Sequence, residues 1–564
     1  MRLNHRSALL VLLLAACAPA LRPAQPEYDV IIRNGTVYDG SGGAGIAADV
    51  AIKGDTIARI GDLSGARAAR EVDAKDLAVT PGFVNMLSWA NVALLHDGRS
   101  QGDIRQGVTL EVFGEGTSMG PLSDSMRARS LANQGRIKYD IPWRTLGGYL
   151  QHLEDKGVSP NVASFVGATT LRIHEVGYDD RPATAEELSR MQELVREAMR
   201  EGALGVGSSL IYAPANFAPT AELVALASAA GEFGGMYISH IRSEGSGLLP
   251  ALDELVHIAD AAGVRAEIYH LKASGRANWP RLDSAIAKVD SARAAGLAIT
   301  ADMYTYPASS TGLDATMPTW VQEGGHDAWV ARLKDPEIRA RLGAEMRGDG
   351  STYDNAFANS GGPDGILLVS FRQDSLRYLA GKTLGEVARM RGTPPEETAM
   401  DLVIQDDSDV GCVFFTMSEE NVRKKIALPW LSFGSDGGSY SAEGVFLLSG
   451  THPRAYGNFA RLLGRYVRDE QVISLGEAIR KLTALPASNL RIERRGQLRP
   501  GYFADVVVFD PETIIDHATF EQPHQYSTGV RDVFVNGVQV LRDGEHTGAT
   551  PGRFVKGPGY RSEK

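Results

Sequence analysis

From about residue 81 to residue 489 the chain repeats one pattern: a short apolar run, a polar loop with glycine, then an amphipathic helical stretch. The runs include GVTLEVFG, NVASFVG, GALGVGSS, GGMYISHIRSEG, AEIYHLKASG, LAITADMYTY and LPWLSFGSDGG; SRMQELVREAMREG is one of the helices. Strands that recur with helices between them predict parallel βαβ units, because a parallel crossover needs a helix-sized connection. Over this length the pattern predicts an α/β fold built on a TIM-like (β/α)8 barrel. Catalytic groups of such barrels project from the C-terminal strand ends, so the residue just after each apolar run becomes a candidate for chemistry. The interval from about 312 to 410 is long for one helix and its loop, and reads as an insertion over the barrel mouth.

The two ends have a different texture. In residues 28–80, YDVIIRNGTVYDG, ADVAIKGDTIARIG and REVDAKDLAV alternate apolar and polar positions, with turns expected at Asn34-Gly35 and Lys53-Gly54-Asp55, which predicts a small antiparallel β unit. Residues 490–555 contain GQLRPGYFADVVVFD and VRDVFVNGVQVLRDGEHTG, of the same kind. Two β-rich ends around an α/β middle predict one split β domain made from both. A chain of 564 residues exceeds a single compact core, which agrees with more than one domain. Its net charge of −11, with no dense lysine or arginine cluster, argues against a nucleic-acid partner.

The opening residues, MRLNHRSALLVLLLAACAPA, place Arg2 and Arg6 ahead of an apolar run from Ala8 to Ala16. This is the pattern of an export signal, and the run is shorter than the ~20 apolar residues a membrane span needs. Leu14-Ala15-Ala16-Cys17 resembles the lipobox of bacterial lipoproteins. That resemblance implies a signal peptide over residues 1–16, a lipid anchor on Cys17, a linker over 17–27 and a periplasmic or membrane-anchored protein; an ordinary cleaved signal is the other reading. Cys412 is then the only other cysteine, and no intramolecular disulfide is expected.

Three strand-end positions offer groups suited to metal or acid/base chemistry: His240, His270 and Asp436. A single histidine in such a place is more often structural than a ligand. Two on consecutive predicted strands, at the same end, are different: adjacent strands lie about 4.8 Å apart, so both imidazoles can reach one ion. Neutral imidazole suits Zn2+. Gly98-Arg99-Ser100-Gln101-Gly102 fits G-x-S-x-G but follows the helical-looking WANVALLHDG, so no nucleophile elbow is expected there. Gly114-Glu115-Gly116 and the glycines from Gly434 to Gly438 lack dinucleotide or P-loop spacing, and no nucleotide cofactor is expected.

The ordered set NGTVYDGSG, PGF, QGVTLEVFGEG, SHIRSEG, YHLKASG, DMYTYPASST, FGSDG, HPRAYGNF and NGVQVLRDGEHTG resembles the N-acyl-D-amino-acid deacylases of the amidohydrolase superfamily over nearly the whole chain after the signal. The resemblance implies a TIM-like barrel flanked by a split β-sandwich. It implies metal-dependent hydrolysis of an N-acyl amino acid, of D configuration, to a carboxylate and a free amino acid. It makes His240 and His270 metal ligands, Asp436 the catalytic acid/base, and Lys272, Tyr304, Ser310 and Arg454 substrate contacts. Arg454 is the best suited of these to a carboxylate, which a guanidinium binds bidentately.

The chain departs from the family at two places. The usual His-x-His after Pro-Gly-Phe is replaced in PGFVNMLSWAN by Leu87 and Trp89, neither of which can ligate a metal. The usual metal-binding cysteine after the second strand is absent, and FGEGTSMG offers Glu115 instead. Glu115, His240, His270 and water form a complete catalytic set for one Zn2+ rather than two. His96, seven residues beyond Trp89, reads as a solvent-facing helix residue. A cyclic amidase or dipeptidase, or an inactive barrel that only binds, are the other functions open to such a chain. The export reading has its own test: Cys17→Ser should release the protein from membranes or leave it unprocessed, and unchanged partitioning and processing would eliminate lipidation at Cys17.

Overall fold

Eight short strands run parallel, each ending at a loop that faces one common mouth. They are β1 (Phe83–Asn85), β2 (Val108–Phe113), β3 (Asn161–Ser164, continued by Val166–Gly167), β4 (Gly205–Ser209), β5 (Met236–His240), β6 (Ala266–Ile268), β7 (Ile299–Met303) and β8 (Leu431–Phe433). Each pairs in parallel with the next. The ring is joined where Met86 N–H donates to Phe433 O, Asp436 N–H donates to Leu87 O, and Ser88 bridges Gly437. The computed structural model describes residues 26–561; the expected signal at 1–16 and Cys17 lie outside the described residues.

Local sequence explains the elements between the strands. Helix Ala185–Glu201 starts with a capping box, Thr184 and Glu187 satisfying each other's backbone N–H groups, and stops at Gly202 in the left-handed region. Met191, Val195, Ala198 and Met199 recur at helical spacing and form its buried face against the barrel. The strands it helps to cover are buried throughout, as parallel strands with both faces packed must be.

The chain ends build one nine-stranded sheet. Its join is the antiparallel pairing of Ala78–Pro81 with Val506–Phe509, and Pro81 leads through Gly82 directly into β1. The sheet is pinned to the barrel by a buried network: Asp505 accepts from Asn161 of β3, from Asn536 N–H and from Arg495. The Lys53-Gly54-Asp55 turn closes a hairpin as expected. The expected turn at Asn34-Gly35 does not form. Tyr28–Val37 is one strand with an irregular register between Ile32 and Gly35, and Gly35 lies so close to its neighbour that a Cβ there would stand 2.4 Å from Val79 Cγ2. That strand also pairs in parallel with Ala68–Asp73 and Ala78–Pro81, so the unit is mixed rather than antiparallel.

Between β7 and β8 the chain forms a separate three-stranded antiparallel sheet, Ser309–Gly312, Ile366–Ser370 and Gly411–Phe414. It has its own apolar core, including Leu313, Trp329, Leu342, Leu368 and Leu402. Its first strand contributes to the wall of the barrel mouth.

The loop after β2 is set by two glycines. Gly114 has φ +110° and a Cβ there would stand 2.4 Å from Phe165 O; Gly116 has φ +68° and its Cβ would meet Ser209 Cβ at 2.5 Å. Glu115 is thereby held flush against the ends of β3 and β4. Gly114→Ala combines a strained backbone with a backbone clash, and should destabilise the protein by about 2–4 kcal/mol. Gly65→Ala, where a Cβ meets nothing within 4 Å, should leave the urea midpoint nearly unchanged. Equal midpoints for the two variants would contradict this packing.

Candidate active site

Three strand ends place their side chains on one point. Glu115 follows β2, His240 ends β5 and His270 lies two residues past β6, and all three are buried. Glu115 Oε1 is 3.1 Å from His240 Nδ1 and 2.9 Å from His270 Nε2. The imidazole planes are nearly perpendicular, with ring centres 4.5 Å apart. His270 adopts φ +36°, a strained value for a non-glycine residue, fixed by its backbone N–H donating to Asp302 Oδ1 at 2.8 Å.

Electrostatics in this pocket are set by imbalance. Glu244, four residues after His240, puts Oε1 2.6 Å from Lys272 Nζ and 3.0 Å from His270 Nδ1. Burial alone would raise the Glu115 and Glu244 carboxyls. The histidines beside Glu115, and Lys272 with both histidines beside Glu244, hold them well below the usual carboxylate range. Burial and Lys272 push His270 down, but Glu244 and Glu115 outweigh them and take it up to about 10. Without a metal, a proton on His270 helps to balance the two acids. A divalent cation could take over that role and displace the proton, and ligand atoms of Glu115, His240 and His270 all within 4.8 Å of one another fit such an ion. His270 would then be oriented from behind by Glu244, a usual partner for a ligating imidazole.

Asp436 stands across from this cluster with φ +50°, on the loop after β8. Its Oδ2 is 2.9 Å from Arg454 Nη2, and its Oδ1 accepts the indole N–H of Trp89 at 3.1 Å. Burial, opposed by Arg454 and assisted by Glu115, raises its carboxyl above the ordinary aspartate value. Arg454 also donates to Ser310 O at 3.2 Å and lies over the Tyr304 ring, with Cζ 4.5 Å from the ring centre. It is 3% exposed, yet its Nε and Nη1 have no protein partner. The Tyr304 hydroxyl and His240 Nε2 are likewise buried and unpartnered. Burial pushes the Tyr304 phenol up to about 12 against the pull of Lys272 and Arg454, so it remains a neutral donor.

All eight residues singled out from the sequence therefore line one cavity of about 540 Å3. They do not contribute alike. Lys272 is already paired with Glu244, and the Ser310 hydroxyl is spent on Cys412 O at 2.7 Å. Sequence reasoning missed Glu244, although an acid four residues after a strand-end histidine was a usable signal. It also read Trp89 only as a loss, whereas its indole joins Glu115 to Asp436. His96 is exposed at the end of helix Ala93–His96 and stays outside the cluster. Ser100 is buried against Glu111 and Ser439, away from the cavity lining.

The chain matches the Amidohydrolase family over residues 70–541. It is 32% identical to a D-aminoacylase of Alcaligenes xylosoxydans xylosoxydans across 94% of this chain and 98% of that one. Among solved structures, a D-aminoacylase described by a binuclear metal centre, with one-metal activation and second-metal attenuation, superposes with a TM-score of 0.78 at 31% identity, covering 94% of this chain and 100% of that one. The N-acyl-D-glutamate deacylase of Bordetella bronchiseptica, complexed with zinc and a phosphonate mimic of the tetrahedral intermediate, gives 0.77 at 29% identity, covering 94% and 99%. A parallel barrel, a buried acid–histidine cluster at its mouth and a match across most of the sequence agree: the chain belongs to the amidohydrolase family.

Proposed function

We propose that this protein hydrolyses N-acyl-D-amino acids to a carboxylate and a free amino acid, with one zinc ion held by Glu115, His240 and His270. The observation that carries the reading is Arg454, a buried guanidinium with two nitrogens, Nε and Nη1, lacking any partner in the same cavity as the cluster. Unpartnered charge-bearing donors are costly in a buried site, and a substrate carboxylate is an acceptor of the right charge to pair with them. The D-aminoacylase and deacylase relatives support the D configuration and the metal. One ion rather than two follows from Leu87 and Trp89, which have no ligand atom to offer, and from three protein ligands being the ordinary catalytic zinc set.

When bound, zinc polarises the scissile carbonyl and makes water nucleophilic at neutral pH. The rest falls to the chain. Arg454 fixes the carboxylate, which sets the amide between Asp436 and the cluster. A substrate carboxylate on Arg454 competes with Asp436 for that guanidinium, freeing Asp436 Oδ2 to accept the proton of the attacking water and return it to the leaving amine. Its raised pKa suits both transfers. The Tyr304 hydroxyl, with no other partner, donates to the oxyanion that develops on the carbonyl. Lys272 acts from behind, with Glu244, on His270.

Matched N-acetyl-D- and N-acetyl-L-amino acids test this directly: the D series should be cleaved and the L series spared. Asp436→Asn should keep its zinc and lose about 10²–10⁴ in turnover, because an amide cannot take up the proton. His270→Ala should lose both zinc and activity. Preferred cleavage of the L series would overturn the stereochemical assignment, and full activity in His270→Ala would overturn the site.

A further inference from the structure

Of the two positions where the family's His-x-His is replaced, only one faces the cavity. Leu87 is fully buried among Phe165, Ile238 and Tyr269. Trp89 lines the cavity and is 38% exposed, and its backbone is fixed by its N–H donating to Gly437 O at 3.0 Å. The neighbouring Ser88 N–H donates to Val112 O at 2.9 Å, so this short segment is clamped between the ends of β2 and β8.

Within that clamp the indole N–H lies 3.2 Å from Glu115 Oε2 and 3.1 Å from Asp436 Oδ1. One donor thus serves two buried carboxylates. The remaining oxygens are committed elsewhere, Glu115 Oε1 to the two imidazoles and Asp436 Oδ2 to Arg454. Indole is a donor only, neutral and unable to bind a cation through its nitrogen. It therefore supplies both acids with a donor and adds no charge, which leaves the charge of the site to a single ion.

The geometry points to Trp89 as a positioning residue that stands in for a second cation: its N–H orients Asp436 for proton transfer and Glu115 for the ion. This rests on the one-zinc hydrolase reading above, but its test separates from it. Trp89→Phe keeps the ring and removes the donor. It should still hold one zinc, with the dissociation constant weakened about 10- to 100-fold, as when an outer-shell partner of a ligand is lost. Its kcat should fall at least about tenfold with KM within about twofold, because Arg454 and Tyr304 still bind substrate. Trp89→His, which returns an imidazole to the one position that faces the cavity, should take up a second zinc ion in equilibrium dialysis where the wild type takes up one. Wild-type kcat and zinc affinity in Trp89→Phe would overturn the positioning role. A single ion in Trp89→His, or two in the wild type, would overturn the replacement of a cation. The dialysis does not depend on turnover, so a wild type that binds zinc but cleaves no N-acyl amino acid would sink the hydrolase reading while the cation test still stands.

Discussion

The carboxylate of Glu115 is out of water, and the rest of the mouth is arranged to keep it ionised there. Two imidazoles share one oxygen and an indole holds the other. Each of those partners is itself braced: His270 by Glu244 and by the backbone bond to Asp302, Trp89 by Asp436 and the end of β8. A buried charge without partners is expensive, so moving any one of these groups unsettles the others. The two flanking glycines matter for the same reason, since they let the acid enter the cluster without lifting the loop off β3 and β4.

The insertion between β7 and β8 takes part in this arrangement. Ser310 belongs to its first strand, and the carbonyl of that residue receives Arg454 while its hydroxyl is tied to the adjacent strand through Cys412. The guanidinium is thus suspended between the insertion, the Tyr304 ring and Asp436. Its free Nε and Nη1, with the Tyr304 hydroxyl and His240 Nε2, are the unfinished part of the site.

Much of this was legible beforehand. Short apolar runs that end in His240, His270 and Asp436 marked strand ends, because a parallel strand is apolar up to the point where it leaves the barrel. Glu115 was legible by elimination, once the usual ligands were seen to be missing. Glu244 was legible only as an acid four residues after His240; its role was not, because it depends on Lys272 and His270 reaching it from another loop. Trp89 was legible as an absence but not as a bridge, since the partners of its N–H come from strands far apart in sequence. In the terminal sheet, alternation gave strands but not their partners: the Asn34-Gly35 pair has turn chemistry, and close packing against Val79 made it an irregularity inside one strand instead.

The pairing of Ala78–Pro81 with Val506–Phe509 places the last tenth of synthesis in the middle of the first structure to emerge. Until Val506–Phe509 has left the ribosome, strand Ala78–Pro81 lacks its antiparallel neighbour, and an unpaired edge of Ala, Val and Thr is a template for the wrong partner. Asp505 adds a second dependence, because Asn161 of β3 waits for it to complete a buried hydrogen-bond network. The two chain ends are therefore not dispensable tails on a self-sufficient barrel. The amino end is assembled first and finished last, and a chain cut short near its carboxyl end would lose the centre of its first sheet rather than its margin.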